Sequence, residues 1–123
     1  MSKHLHHHRL DIYDHQLHLA TTDKAWKRLC KDIDSLDPEP NAWGYTGSDL
    51  DTKTDTFHVS IYIGHEAVKA GGGQLVNTIA HEAAHAASLI HRHIGAKVRG
   101  IDEPHAYLVG WIAGWIWDNV GRA

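Results

Sequence analysis

Between Gln74 and Ile94 apolar residues return every three or four positions, and Gly95 closes the run. That spacing predicts one long helix with two unlike sides. At about 100° per residue, one side carries Val76, Ile79, Ala83, Ala87 and Ile90, and the other carries His81 and His85. The alanines let neighbouring elements approach the helix closely. A chain of 123 residues has room for one core, so the apolar side of this helix must be a large part of it.

Its partners are legible to different degrees. FHVSIYI, residues 57–63, alternates with Phe57, Val59, Ile61 and Ile63 on one face and predicts a strand. Residues 4–20 alternate on either side of Asp14-His15, with Leu10 and Ile12 before it and Leu17 and Leu19 after it, and predict a hairpin. Residues 21–36 open with capping residues and place Trp26, Leu29, Cys30, Ile33 and Leu36 on one stripe. They predict an amphipathic helix stopped by Asp37-Pro38-Glu39-Pro40, with Cys30 in the core. Ala42–Thr46 is a short strand candidate. The following SDLDTKTD lacks the glycine and terminal glutamate of a calcium loop and reads as a polar hairpin loop. Gly71–Gly73 has no Lys-Ser/Thr pair after it, so it loosens the entry to the long helix rather than cradling phosphate. A last helix is expected from Asp102 to Val120. Trp111, Trp115 and Trp117 crowd two of its faces, as core or as a partner-facing patch such as a homo-oligomer contact.

The formal net charge of −3 gives no basis for a nucleic-acid partner. Cys30 is the only cysteine, which rules out an intramolecular disulfide and any thiolate-rich metal site. The first twenty residues contain no apolar secretory core, and the longest apolar run, Ala106 to Trp117, is short of the ~20 residues of a membrane span. The expectation is a soluble, cytoplasmic protein with no membrane partner. Histidine is the compositional outlier, with 13 copies. His4 and His6–His8 fit a solvated strand face better than a metal site.

His81 and His85 stand one helical turn apart with Glu82 beside them, the pattern HExxH. Two neutral imidazoles at that spacing suit Zn²⁺, and the glutamate is placed to take a proton from a water that the metal activates. Such a site needs a third protein ligand, for which three residues compete. His91 has the spacing of the metzincins, but Ser88 stands where those proteins have a glycine and no methionine turn exists, so His91 is rejected. Glu103 and His105 remain. On the last helix Tyr107, Gly110 and Gly114 share the face of Glu103, while His105 points nearly opposite. Two glycines one turn apart permit close helix packing, so the face of Glu103 is expected to touch the long helix.

HEAAHAA followed by DEPHAYLVGWI is similar to compact gluzincin-like HExxH proteins encoded by bacteriophages and mobile elements. There a second helix bears an E-x-x-A-Y segment, matched here by Glu103, Ala106 and Tyr107. The resemblance covers residues 57–117. It implies an α+β fold, a single zincin-like domain over 1–123, in which a small antiparallel or mixed sheet packs on the HExxH helix and a C-terminal helix. It implies Zn²⁺ held by His81, His85 and Glu103, with Glu82 as general base and then acid. By position, one turn beyond Glu103, Tyr107 would donate to the oxyanion or to a ligand, or else be a buried tyrosine with a satisfied hydroxyl, and Asp102 would orient a ligand histidine. The 57–63 strand would lie beside an extended peptide or protein substrate. The function expected is a zinc metallopeptidase of a bacterial or phage-infected cell. The alternatives are a zincin-like binding module with structural zinc and a metal-free helical interaction protein.

Overall fold

The alternating strand at 57–63 is the spine of a four-stranded mixed sheet. The structure is a computed structural model that describes residues 3–10, 15–40, 43–95 and 103–120, the side chain of Glu103 excepted. Strands β1 (Leu5–Leu10) and β2 (His15–Ala20) form the expected antiparallel hairpin, with Leu5 opposite Ala20 and Leu10 opposite His15. Ile12 and Asp14 lie outside the described residues. Strand β4 (Thr56–Ile63) pairs antiparallel with β3 (Gly44–Asp51) and parallel with β2, which gives the order β1-β2-β4-β3.

Period-two patterning decides what covers each face. Leu17, Leu19, Phe57, Val59, Ile61 and Ile63 point to one side, where they meet Ile79, Ala83, Ala87 and Ile90 of α3 (Gly72–His93) and Leu108, Ile112 and Ile116 of α4 (Glu103–Val120). On the other side Ala20, Tyr62 and Tyr45 pack under Ala25, Trp26 and Leu29 of α1 (Asp23–Asp32). A mixed sheet packed on the HExxH helix and the C-terminal helix is the α+β architecture expected from the sequence. No helix among the described residues is long and apolar enough to cross a membrane.

Four details differ from expectation. Helix α1 stops at Asp32 because Ile33 turns extended (φ −127°, ψ 98°), which brings Ile33 and Leu36 into the core under the sheet. Trp26 Nε1 donates to the Asp37 carbonyl at 2.8 Å and ties that segment back to the helix. Strand β3 runs through Asp51 and absorbs half of the expected loop, and its first expected residue, Ala42, is outside the described set. Backbone pairing to β4 makes that strand, not apolar alternation. A six-residue helix α2 (His65–Ala70) precedes α3, and Leu75 rather than Val76 is buried where the two helices meet.

The fourth difference concerns α4. Its inward stripe is Leu108, Ile112, Ile116 and Val120. Gly110 and Gly114 lie on the outer face, and a Cβ added at either would meet nothing within 4 Å. The expected glycine-mediated packing on α3 therefore does not occur. Branched side chains one turn apart bury far more apolar surface than two glycines, so they win the inward position. Trp111 and Trp117 are about half exposed, and Trp111 lies over His8 of β1, their ring centroids 4.7 Å apart.

This packing predicts opposite signs for two classes of substitution. Ile112→Ala should lower unfolding free energy by about 2–5 kcal/mol, whereas Gly110→Ala and Gly114→Ala should each raise it by up to about 1 kcal/mol through helix propensity. Urea denaturation of the three variants checks this; destabilisation by the alanines at 110 and 114 would restore the glycine interface.

Candidate metal centre

The apolar contact with the sheet sets the rotation of α3, and that rotation exposes His81 and His85. Their Nε2 atoms converge to 3.1 Å, with the rings at 81° to each other. Two nitrogens each ~2.0–2.1 Å from a tetrahedral ion would stand about 3.3 Å apart. The pair thus presents two ring nitrogens within a few tenths of an ångström of a zinc bite, two of the donors such an ion needs.

Glu82, 100° further round the helix, is only 5% exposed and points to β3. Thr46 Oγ1 donates to its Oε1 at 2.7 Å. Its other oxygen lies over Gly44, where a Cβ would come within 2.8 Å. Gly44 gives the carboxylate its room, and Thr46 fixes its direction. Sequence reasoning missed both residues. The available signal was a glycine inside a strand, which often marks close approach by another element. Trp43, Gly44, Asn77, Thr78, His81 and Glu82 line one cleft of about 190 Å³. His81 and Glu82 therefore border the same space.

The other candidates are elsewhere or undescribed. Asp102 and the Glu103 side chain lie outside the described residues. Among the described residues no cluster of three or more His, Cys, Asp or Glu is arranged to hold a metal ion. His105 faces inward and meets His91, Nδ1 to Nδ1 at 3.0 Å, where α3 and α4 touch. His91 is 3% exposed, turned away from the 81–85 pair. Tyr107 is 76% exposed on the outer face of α4, with Gly110 and Gly114, and is absent from the cleft lining. Strand β4 is paired along both edges, so it cannot lie beside an extended substrate; the edge strand next to the cleft is β3.

The remaining histidines are not a uniform solvated face. His15 Nε2 meets His93 Nδ1 at 3.0 Å, joining β2 to the end of α3. On the face shared with α1, His7 Nδ1 lies 2.7 Å from His18 Nδ1, and His18 Nε2 lies 2.8 Å from His58 Nδ1. Burial, followed by the fields of His7 and His58, pushes the His18 pKa down to about 3. Cys30 is partly buried at the edge of the α1 core, where burial and then Asp37 push its thiol pKa up. That favours the inert thiol over a nucleophile.

Two outcomes follow. Thr46→Val should cost about 1–3 kcal/mol by leaving the buried Glu82 carboxylate without its hydroxyl donor, and Thr46→Ser should restore most of it; thermal or urea melts distinguish them. The second concerns pH. An unfolded His18 takes up its proton near pH ~6.5, the folded one only near about 3. Between those values the unfolded state binds more protons, so stability falls as the pH falls through that window. His18→Gln should flatten the decline measured by denaturation at a series of pH values; an unchanged slope would assign it to other groups.

Comparison with family models, with curated proteins and with solved structures finds no match to this chain.

Proposed function

We propose that this protein is a zinc-dependent hydrolase of the metallopeptidase class, acting on a peptide or protein substrate in the cytoplasm of a bacterial or phage-infected cell. The observation that carries the proposal is the 3.1 Å convergence of the His81 and His85 Nε2 atoms beside a buried glutamate that borders the same cleft. In this reading His81, His85 and Glu103 hold the zinc. Glu103 rests on the E-x-x-A-Y resemblance alone, because Tyr107, Gly110 and Gly114, which helical spacing groups with it, turn away from α3. Zinc, when bound, supplies a Lewis acid that polarises a carbonyl and makes a coordinated water acidic near neutral pH.

The chain's own groups do the rest. Glu82 accepts a proton from the attacking water and returns it to the leaving amine. Thr46 holds one carboxylate oxygen, which leaves the other to make the transfer. The outer edge of β3 offers backbone groups to an extended peptide, as edge strands do in β-strand addition. A second reading, a binding module with structural zinc, is favoured by the small size of the cleft, about 190 Å³ against the ~300–1,000 Å³ of ordinary ligand pockets.

Zinc analysis of protein purified without a nickel column, combined with cleavage of a peptide library, separates the readings. The wild type should carry one zinc per chain and cleave. His85→Ala should lose the metal, and Glu103→Ala should bind it much more weakly. Glu82→Gln should keep the metal and lose hydrolysis. Full zinc with no difference between wild type and Glu82→Gln in any cleavage assay would establish the binding module instead.

A further inference from the structure

Helix α1 covers only part of the second face of the sheet. Beyond Leu5, Ala20, Tyr62 and Tyr45 that face turns polar, with His7 opposite His18 on β1 and β2 and His58 one step along on β4. We propose that this polar shelf is a second metal site, separate from the 81–85 pair, and that it takes a tetragonal divalent ion, Cu²⁺ foremost, through the Nδ1 atoms of His7 and His18.

Geometry is the first argument. His7 and His18 are direct partners in the β1–β2 register, and their Nδ1 atoms aim at each other across 2.7 Å. Two imidazole nitrogens bound at 90° with bonds of ~2.0–2.1 Å stand about 2.9 Å apart, whereas a tetrahedral ion needs about 3.3 Å. For the first arrangement the rings must part slightly and each turn its Nδ1 about 45° off the line that now joins them. Nitrogen donors in a square-planar set select Cu²⁺ or Ni²⁺, and the Irving–Williams order puts Cu²⁺ first.

The surroundings are the second argument. A ligating histidine commonly donates its other ring N–H to a fixed acceptor, and His18 Nε2 has His58 Nδ1 at 2.8 Å in that role. In the tautomers this requires, His18 Nε2–H donates to His58 and His18 Nδ1 carries a lone pair. His7 Nδ1–H fills that lone pair in the metal-free chain. Binding moves the His7 proton to its Nε2 and consumes no other group. His58 stands opposite Asp49 in the β3–β4 register, which continues the row into a carboxylate. Asp32, at the end of α1, lies near enough for its charge to act on His7 and adds a negative field. His7 is exposed, so an ion can reach the pair and keep water in its remaining positions. Ser60, opposite His18 in the β2–β4 register, has a buried Oγ with no hydrogen-bond partner among the described residues. It is a polar group left over beside the same row.

The test uses the full chain carrying His81→Ala and His85→Ala, which silences the first site. Titration with CuCl₂, followed by electron paramagnetic resonance, should show one equivalent of tetragonal Cu²⁺ with coupling to imidazole nitrogen. Adding His7→Gln, a change at an exposed position, should abolish that equivalent. Adding His58→Ala should weaken it by about 10–100-fold, the usual effect of losing an outer-shell partner. Replacing His4, His6 and His8 together by glutamine should leave it in place. An equivalent that survives His7→Gln, one that disappears with the His4, His6 and His8 changes, or no equivalent in the double variant overturns the proposal. None of these results depends on whether the 81–85 site hydrolyses anything.

Discussion

The contact on which the site depends is the one between the alanine side of α3 and the apolar face of β2 and β4. Ala83, Ala86 and Ala87 are fully buried, so the helix axis can come close to Leu17, Val59 and Ile61 without a side chain in the way. Once that face is seated, the helix cannot rotate about its own axis. His81 and His85 are then held to solvent, and Glu82 is pressed against β3. The chemistry of the site is a by-product of how three alanines pack.

Elements whose burial follows one clean period were legible in the sequence. Strand β4 and helix α3 each carry a single apolar face, and both were placed within a few residues. Helix α4 was located but turned the wrong way round. It is apolar on nearly every side, with Trp111 and Trp117 half exposed and Ile112 and Ile116 buried, so periodicity alone cannot say which side is buried. Reading two glycines as a contact surface settled that ambiguity in the wrong direction. Strand β3 was half legible because Gly-Tyr-Thr-Gly-Ser-Asp-Leu-Asp has no apolar alternation to see; its order comes from β4. The HExxH pair and its glutamate could be named from spacing. Thr46 could not, because its role exists only once β3 and α3 are side by side.

Histidine shows the same limit. A neutral imidazole is donor on one nitrogen and acceptor on the other, so two of them can satisfy each other in places where two lysines or two carboxylates would repel. His15 with His93, His91 with His105 and the His7–His18–His58 row use this self-complementarity between different elements, consecutive ones for His7–His18 and His91–His105 and distant ones for the others. Local sequence shows each of these residues as polar. Only the tertiary pairing shows which of them form part of the interior.

The parallel seam between β2 and β4 bears on how the chain assembles. The β1–β2 and β3–β4 pairs are antiparallel and close over short stretches, so both can zip early at small entropic cost. The seam brings His15 beside Phe57 and Ala20 beside Tyr62, across all of α1 and β3. Closing it carries the largest loop-closure cost of the three strand pairings, and the core on either face draws on strands from both sides of it. Thr46, Glu82, His81 and His85 lie on β3 and α3, and because α3 is seated on both β2 and β4 their arrangement waits on that seam.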